Sequence, residues 1–124
     1  MLKHRTFIGW MFGISLVLIS PQSIAMNGNE LFTQCTSPEG SVEIRECGSY
    51  IMGVMSGTTM MMVSLQILHP ESNAYPMLFC VKSAEPTEHL IDVVVKFLRG
   101  QPGTRHYDAA SQVLLAFSEA FPCH

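Results

Sequence analysis

Four cysteines, all located after residue 34, constrain this 124-residue chain more than any other feature. They are Cys35, Cys47, Cys80 and Cys123. An even number of cysteines in a short exported chain is typical of disulfide pairing, because a small core alone stabilises little. Four cysteines allow three pairings, and their spacing alone does not choose among them.

The first 25 residues have the three zones of a signal peptide. A basic start precedes an uncharged apolar run over residues 7–19, and Pro21 follows that run. The run is shorter than the roughly 20 residues of a membrane-spanning helix. Small residues in Ser23-Ile24-Ala25 occupy the positions that signal peptidase reads. We therefore expect cleavage between Ala25 and Met26 and export to the bacterial periplasm, with a retained anchor as the alternative.

The remaining 99 residues, 26–124, carry five basic and ten acidic side chains, a formal net charge of −5. One domain is expected from this length. Nucleic acid is a poor partner for so acidic a chain. We find no segment after Ile19 that is long and apolar enough to span a bilayer, so we expect no membrane association after signal cleavage.

Apolar residues recur at spacings of three and four along four segments, which predicts an all-α fold. A small bundle of about four helices, stapled by two disulfides, is therefore expected. The valines at 93–95 alone would favour a strand, but the flanking caps and the period favour a helix. The first predicted helix runs from Glu30 to Cys35, after capping side chains at residues 27–29, and the second from Ser41 to near Gln66. The third runs from Pro86 to Arg99, and the last follows a cap at Asp108 and ends near Phe121.

Helix order favours one disulfide pairing. A short loop joins the third and fourth helices, so these should lie antiparallel, with Cys123 beside the segment that contains Cys80. By the same reasoning Cys35, at the end of the first helix, lies near Cys47 at the start of the second. We therefore predict the pairs Cys35–Cys47 and Cys80–Cys123. No thiolate then remains for a cysteine hydrolase.

The second helix carries two further features. Gly53 and Gly57 are one turn apart and make a shallow groove, for which we expect internal packing, with a subunit contact as the alternative. The methionines, with His69, could supply soft ligands to copper. However, Met60–Met62 point in three directions on a helix, which favours core packing or a binding surface. We expect no metal and no cofactor.

We expect no enzymatic activity. Ser56-Gly57-Thr58 lies inside a predicted helix and lacks the Gly-x-Ser-x-Gly pattern of a nucleophile elbow. Arg105, His106 and Tyr107, just before the last helix, are instead of types enriched at binding hot spots. An equally plausible role for Arg105 is to fix the turn by pairing with a helix end or an acidic neighbour.

A set of short motifs runs in a fixed order along nearly all of residues 26–124. One is the stretch Cys47-Gly48-Ser49-Tyr50-Ile51-Met52-Gly53-Val54, which has the form Cys-x-x-Tyr-Ile-x-Gly-Val. The others are Gly28-Asn29-Glu30-Leu31, Leu90 to Leu98, Pro102, Arg105-His106, Ala109-Ala110, Ala116 and Glu119-Ala120-Phe121-Pro122-Cys123. In the order and spacing of these motifs the chain resembles the Rap/Tai-type immunity proteins, the periplasmic antidotes to type VI secretion amidase effectors.

The resemblance implies an α-helical, often dimeric protein that blocks a peptidoglycan amidase by occupying its active-site cleft. Since loops on a rigid scaffold carry binding residues, we expect the contact near the proline-containing loop and the last turn. A periplasmic stress chaperone of similar helical build, which binds many unfolded clients, is the alternative. The predicted partner-binding residues are Tyr75, Arg99, Arg105, His106 and Tyr107.

Overall fold

A computed structural model of the protein describes residues 25–71 and 76–124. The described chain forms four helices, so the all-α prediction is confirmed, including the helix at the valines 93–95. The predicted signal peptide lies outside the described residues except for Ala25. The helices are α1 (Gly28–Cys35), α2 (Val42–Leu68), α3 (Thr87–Gly100) and α4 (Ala109–Ala120).

At the start of three of the four described helices, α1, α2 and α4, a capping side chain satisfies the first free N–H groups. Asn27 accepts backbone N–H bonds at the start of α1, while the Glu30 carboxylate accepts the Asn27 N–H at 2.9 Å. This reciprocal pair is a capping box. Ser41 and Asp108 accept similar bonds at α2 and α4. Pro86 precedes α3, where a missing N–H costs nothing.

The core lies between the helices and draws side chains from all four of them. The Phe117 ring is fully buried, with its centroid 5.4 Å from that of Phe79 and 5.7 Å from that of Phe121. Burying each large apolar side chain contributes about 1.5–3 kcal/mol. The largest fully buried side chains are Phe117, Leu31, Ile51, Leu90, Leu98, Val94, Val113 and Cys47.

Both predicted disulfides are present, and the described residues contain no free cysteine. Cys35–Cys47 ties the end of α1 to the second turn of α2. Cys80–Cys123 ties the segment before α3 to the residues after α4 and closes a sequence separation of 43. Each disulfide therefore joins two elements whose ends the core already brings together.

The start of α1 is fixed to the turn between α3 and α4 by backbone hydrogen bonds. The Gly28 N–H donates to the Tyr107 carbonyl at 2.9 Å, and the Asn29 N–H donates to the Arg105 carbonyl at 2.8 Å. A Cβ on Gly28 would lie 2.8 Å from that Arg105 oxygen. The close approach of the two backbones therefore requires glycine at position 28.

Helix α2 is the longest of the four described helices. Its 27 residues span about 40 Å at the α-helical rise, against 14 residues in α3. By length and composition α2 could cross a membrane, and only 11% of its most apolar window is buried. The expectation that no such segment follows Ile19 is therefore wrong. Small glycines, serines and threonines separate the apolar residues of α2, so it contains no long unbroken apolar run.

Candidate functional site

The turn between α3 and α4 holds three of the predicted binding residues in different environments. The Arg105 guanidinium lies 4.4 Å from the centroid of the Phe32 ring, a cation–π contact with α1. Its buried Nε has no hydrogen-bond partner among the described residues. Arg105 thus contacts α1 through an aromatic ring, and no ion pair joins it to an acidic neighbour among the described residues.

His106 and Tyr107 are the exposed pair of this turn. Their ring centroids are 4.1 Å apart, and Tyr107 is 56% exposed. Arg99 is exposed on the last turn of α3. Tyr75 lies outside the described residues. Of the five predicted residues, the structure therefore brings the side chains of His106 and Tyr107 together at the surface.

Beside this turn, a cavity of about 490 Å³ opens between α3 and α4. We call it the α3–α4 cleft. Gln112 is only 2% exposed, and its Oε1 has no hydrogen-bond partner in the described part of the chain. Sequence reasoning missed Gln112, although its spacing from Ala109 and Ala116 places it on the buried stripe of α4. The cleft is lined by Phe97, Gln101, Thr104, Tyr107, Gln112, Leu115, Ser118 and Glu119.

A second, larger cavity of about 640 Å³ lies between α2 and the segment before α3. Four methionines line this methionine groove: Met52, Met55, Met60 and Met77. Flexible thioether side chains adapt to varied apolar partners. The methionines of α2 therefore divide between the core, where Met62 is 6% exposed, and the surface.

The side of α2 turned away from the body also has no partner in the described chain. No atom of the described residues outside the local helix lies within 4 Å of a Cβ built on Gly53 or Gly57, so the expected internal packing is not found there. Met60 and Ile67 are 69% and 72% exposed. We define the α2 outer face as Gly53, Gly57, Met60, Val63 and Ile67; of these residues, Met60 and Val63 also line the methionine groove.

Tyr50 shows the clearest electrostatic effect in the described chain. Burial, and to a smaller extent the nearby Asp108 carboxylate, raise the pKa of the Tyr50 phenol above its ordinary value of 10.0. A hydrogen bond with the Ala110 backbone opposes this rise in pKa. The charge of Asp108, the N-terminal cap of α4, therefore affects the pKa of Tyr50 on α2.

The comparisons with known proteins identify one family. The family model described as Rap1a immunity proteins matches residues 27–123. The chain belongs to the Rap1a immunity protein family. The matched region begins at the α1 cap and ends at Cys123, so it includes all four helices and both disulfides.

Membership of the Rap1a family makes this chain an immunity-type protein, whose role is to bind a partner effector protein. No curated protein and no solved structure matches the chain. The residues of this Rap1a protein that the family model matches include the turn with His106 and Tyr107, the α3–α4 cleft and the α2 outer face.

Proposed function

We propose that this Rap1a protein binds and inhibits a peptidoglycan amidase delivered by type VI secretion, by covering the active-site cleft of the amidase. The family match over residues 27–123 carries this proposal. The inhibitor performs no chemistry and acts by occupancy. An exposed turn that is tied to α1 by backbone hydrogen bonds can enter a cleft with little loss of conformational entropy.

The site of action proposed is the periplasm, after removal of residues 1–25. The signal-like sequence of these residues supports export. Two disulfides in residues 26–124 also suit this compartment, because disulfides persist in oxidising environments and are rare in the cytosol. The amidase substrate, peptidoglycan, lies in the same compartment.

We also propose that two copies associate through the α2 outer face. An antiparallel pair of α2 helices with Met60 on the two-fold axis places Gly53 opposite Ile67 and Gly57 opposite Val63. Ile67 and Val63 of each copy then face a glycine of the other copy, and Met60 faces Met60, so every contact is repeated by symmetry as in an isologous interface. No charged residue lies between Cys47 and Leu68, so the contact brings no like charges together.

The alternative partner for α2, a lipid bilayer, conflicts with its packing. Cys47, Gly48 and Ile51 are buried in the body, and Cys47 is held by a disulfide. A transmembrane position would expose these core contacts to lipid and leave the other helices without their packing surface. Binding of a second copy of this protein to the α2 outer face leaves the core intact.

Protection of living cells tests the proposed function. Cells that receive the amidase in the periplasm are compared with and without the full chain, and with a version that lacks residues 1–25. We expect only the exported version to prevent lysis and to form a saturable complex with the amidase. Lysis despite periplasmic expression would refute the proposal.

The methionine groove favours a chaperone as the second candidate function, because it presents apolar surface to solvent. A chaperone would suppress the aggregation of several unrelated acid-treated proteins, without selectivity for any one of them. An immunity protein would leave their aggregation unchanged and bind one folded amidase. Light scattering with and without the purified protein distinguishes these outcomes.

A further inference from the structure

Met60 is the most exposed of the methionines that the structure describes. It is the first of three adjacent methionines on α2, whose exposed fractions are 69% for Met60, 56% for Met61 and 6% for Met62. A thioether is oxidised faster where solvent reaches its sulfur atom. Oxidation of the folded protein should therefore begin at Met60 and Met61 and spare Met62.

The described chain contains no thiol that would compete with these thioethers for an oxidant. All four cysteines are paired in the two disulfides, so their sulfur is already oxidised. Hydrogen peroxide transfers one oxygen atom to a thioether: a sulfur–oxygen bond forms, the oxygen–oxygen bond breaks, and water leaves. The sulfur loses two electrons, which the peroxide accepts. The product, methionine sulfoxide, is polar, whereas methionine is apolar.

The position of Met60 gives its oxidation a consequence that oxidation of Met61 lacks. Met60 belongs to the α2 outer face and also lines the methionine groove. Met61 lies about 100° further round the helix, outside both surfaces. In the association proposed above, Met60 faces Met60, so oxidation places two sulfoxide oxygens at the centre of the contact.

The α2 outer face has no group that can satisfy a sulfoxide oxygen. This oxygen is a hydrogen-bond acceptor, but the face consists of two glycines and three apolar side chains, none of which has a donor. The backbone N–H groups of these residues lie in the interior of α2, where the helix itself uses them. A polar group that is buried without a partner is unfavourable. The sulfoxide therefore favours exposure to water over contact with a second copy.

From these observations we propose that Met60 is a modification site for peroxides, and that its oxidation to the sulfoxide separates copies joined through the α2 outer face. The selectivity for Met60 and Met61 over Met62 rests on exposure alone. The separation of the copies rests in addition on the association proposed above. Neither part depends on the amidase.

Peptide mass spectrometry after brief treatment with hydrogen peroxide tests the site. In the folded protein, Met60 and Met61 should be oxidised at least about tenfold faster than Met62, whereas urea should make the three rates similar. Since association covers Met60 and leaves Met61 outside the contact, the ratio of Met60 to Met61 oxidation should fall as the protein concentration rises. Equal rates for Met60 and Met62 in the folded protein would reject the site.

Sedimentation velocity of wild type and matched variants tests the consequence. Peroxide should raise the dissociation constant of wild type at least about tenfold, because the sulfoxide is buried without a donor. Met60→Leu stays apolar but lacks the sulfur, so it should associate equally before and after treatment. Met61→Leu should remain as sensitive as wild type. Met60→Gln, a neutral polar substitute for the sulfoxide, should weaken association without peroxide.

The possible results separate this inference from the other proposals. Association of wild type that peroxide leaves unchanged, or equal loss of association in Met60→Leu and wild type, would reject the control by Met60 and keep the paired copies. A wild type that is monomeric at every concentration would reject both the pairing and its control by oxidation. Failure to inhibit an amidase would reject the proposed function and leave these measurements unaffected.

Discussion

At the scale of single residues, Gly28 is the position where one added carbon has the largest steric consequence. Its Cβ would meet the Arg105 carbonyl oxygen at 2.8 Å and the Gln112 Cγ at 3.2 Å. The carbonyl accepts the Asn29 N–H and cannot move without breaking that bond. We expect Gly28→Ala to lower the free energy of unfolding by about 1–3 kcal/mol, the usual cost of overpacking.

Urea denaturation of Gly28→Ala and of Gly103→Ala measures this effect. Gly103 has no other atom of the described chain within 4 Å of a built Cβ and no positive φ, so its substitution should change stability little. Equal stabilities of the two variants would show that the α1 backbone does not need this close approach.

The raised pKa of Tyr50 predicts how the stability of the fold changes at alkaline pH. Burial, followed by the Asp108 charge, raises the phenol pKa in the folded state above 10.0. The folded protein therefore holds this proton more tightly than the unfolded chain does. The resulting stabilisation is complete below about pH 10 and is lost as the pH rises through the folded-state pKa.

The melting temperatures of wild type and Tyr50→Phe between about pH 8 and 11 test this linkage. The phenylalanine variant does not ionise, so the melting temperature of wild type should fall relative to that of the variant at the alkaline end. A constant difference across this range would contradict the raised pKa. Tyr107 is 56% exposed, and Tyr107→Phe is the matched control.

At the scale of elements, α2 has one side that packs into the core and another side that is exposed. Cys47 and Ile51 on one side belong to the core, whereas Met60 and Ile67 on the other side are largely exposed. An amphipathic surface helix normally turns a polar face to solvent. The outer face of α2 is therefore an apolar helix surface exposed to solvent, which burial against a partner would stabilise.

Charge placed on this face should abolish the proposed association. Ile67→Glu puts a glutamate at the predicted contact in both copies, so we expect the dissociation constant to rise at least tenfold, about 1.4 kcal/mol. The variant should keep the wild-type circular dichroism spectrum, because Ile67 is 72% exposed. Sedimentation velocity over a concentration series measures the association.

Leu115→Glu provides the matched control for α2. Leu115 is an exposed apolar residue on α4, 53% accessible, away from the outer face. This variant should associate like wild type. A single helix face is smaller than the roughly 20–30 residues per side of a standard interface, so the association should be reversible. A wild type that is monomeric at every concentration, or that binds to vesicles through Ile67, would refute the second copy as occupant.

At the scale of the whole molecule, the two disulfides should differ in their effect on stability. Cys35–Cys47 spans 12 residues of sequence and Cys80–Cys123 spans 43. In the chain-entropy description, the longer closed loop restricts the unfolded chain more. We expect paired Cys→Ser substitutions to cost about 3 kcal/mol for the first disulfide and about 4 kcal/mol for the second.

Chemical denaturation of the two double-serine proteins, each with the other disulfide intact, measures this difference. The same substitutions also bear on function, because Cys80–Cys123 joins the segment before α3 to the residues after α4, and these two helices line the α3–α4 cleft. Loss of this disulfide should weaken partner binding. A larger cost for Cys35–Cys47 would show that strain or residual structure outweighs loop length.

Much of this molecule could be predicted from local patterns in its sequence. The caps at Asn27, Ser41 and Asp108 and the apolar period define the four helices, because helix formation depends on neighbours within one or two turns. The disulfide pairing could also be predicted, since a short loop forces α3 and α4 to lie antiparallel. The family followed from the order of short motifs along nearly the whole chain.

The tertiary structure alone decided what each helix face contacts. The period places Gly53 and Gly57 on one side of α2, but whether that side meets another helix depends on where the body of the protein ends. Likewise, the Arg105 guanidinium pairs with Phe32, and the Gln112 oxygen lies unpaired beside a cleft, because elements distant in sequence converge there. Local spacing determines which residues share a face, whereas packing between distant segments determines whether that face is core, contact or open surface.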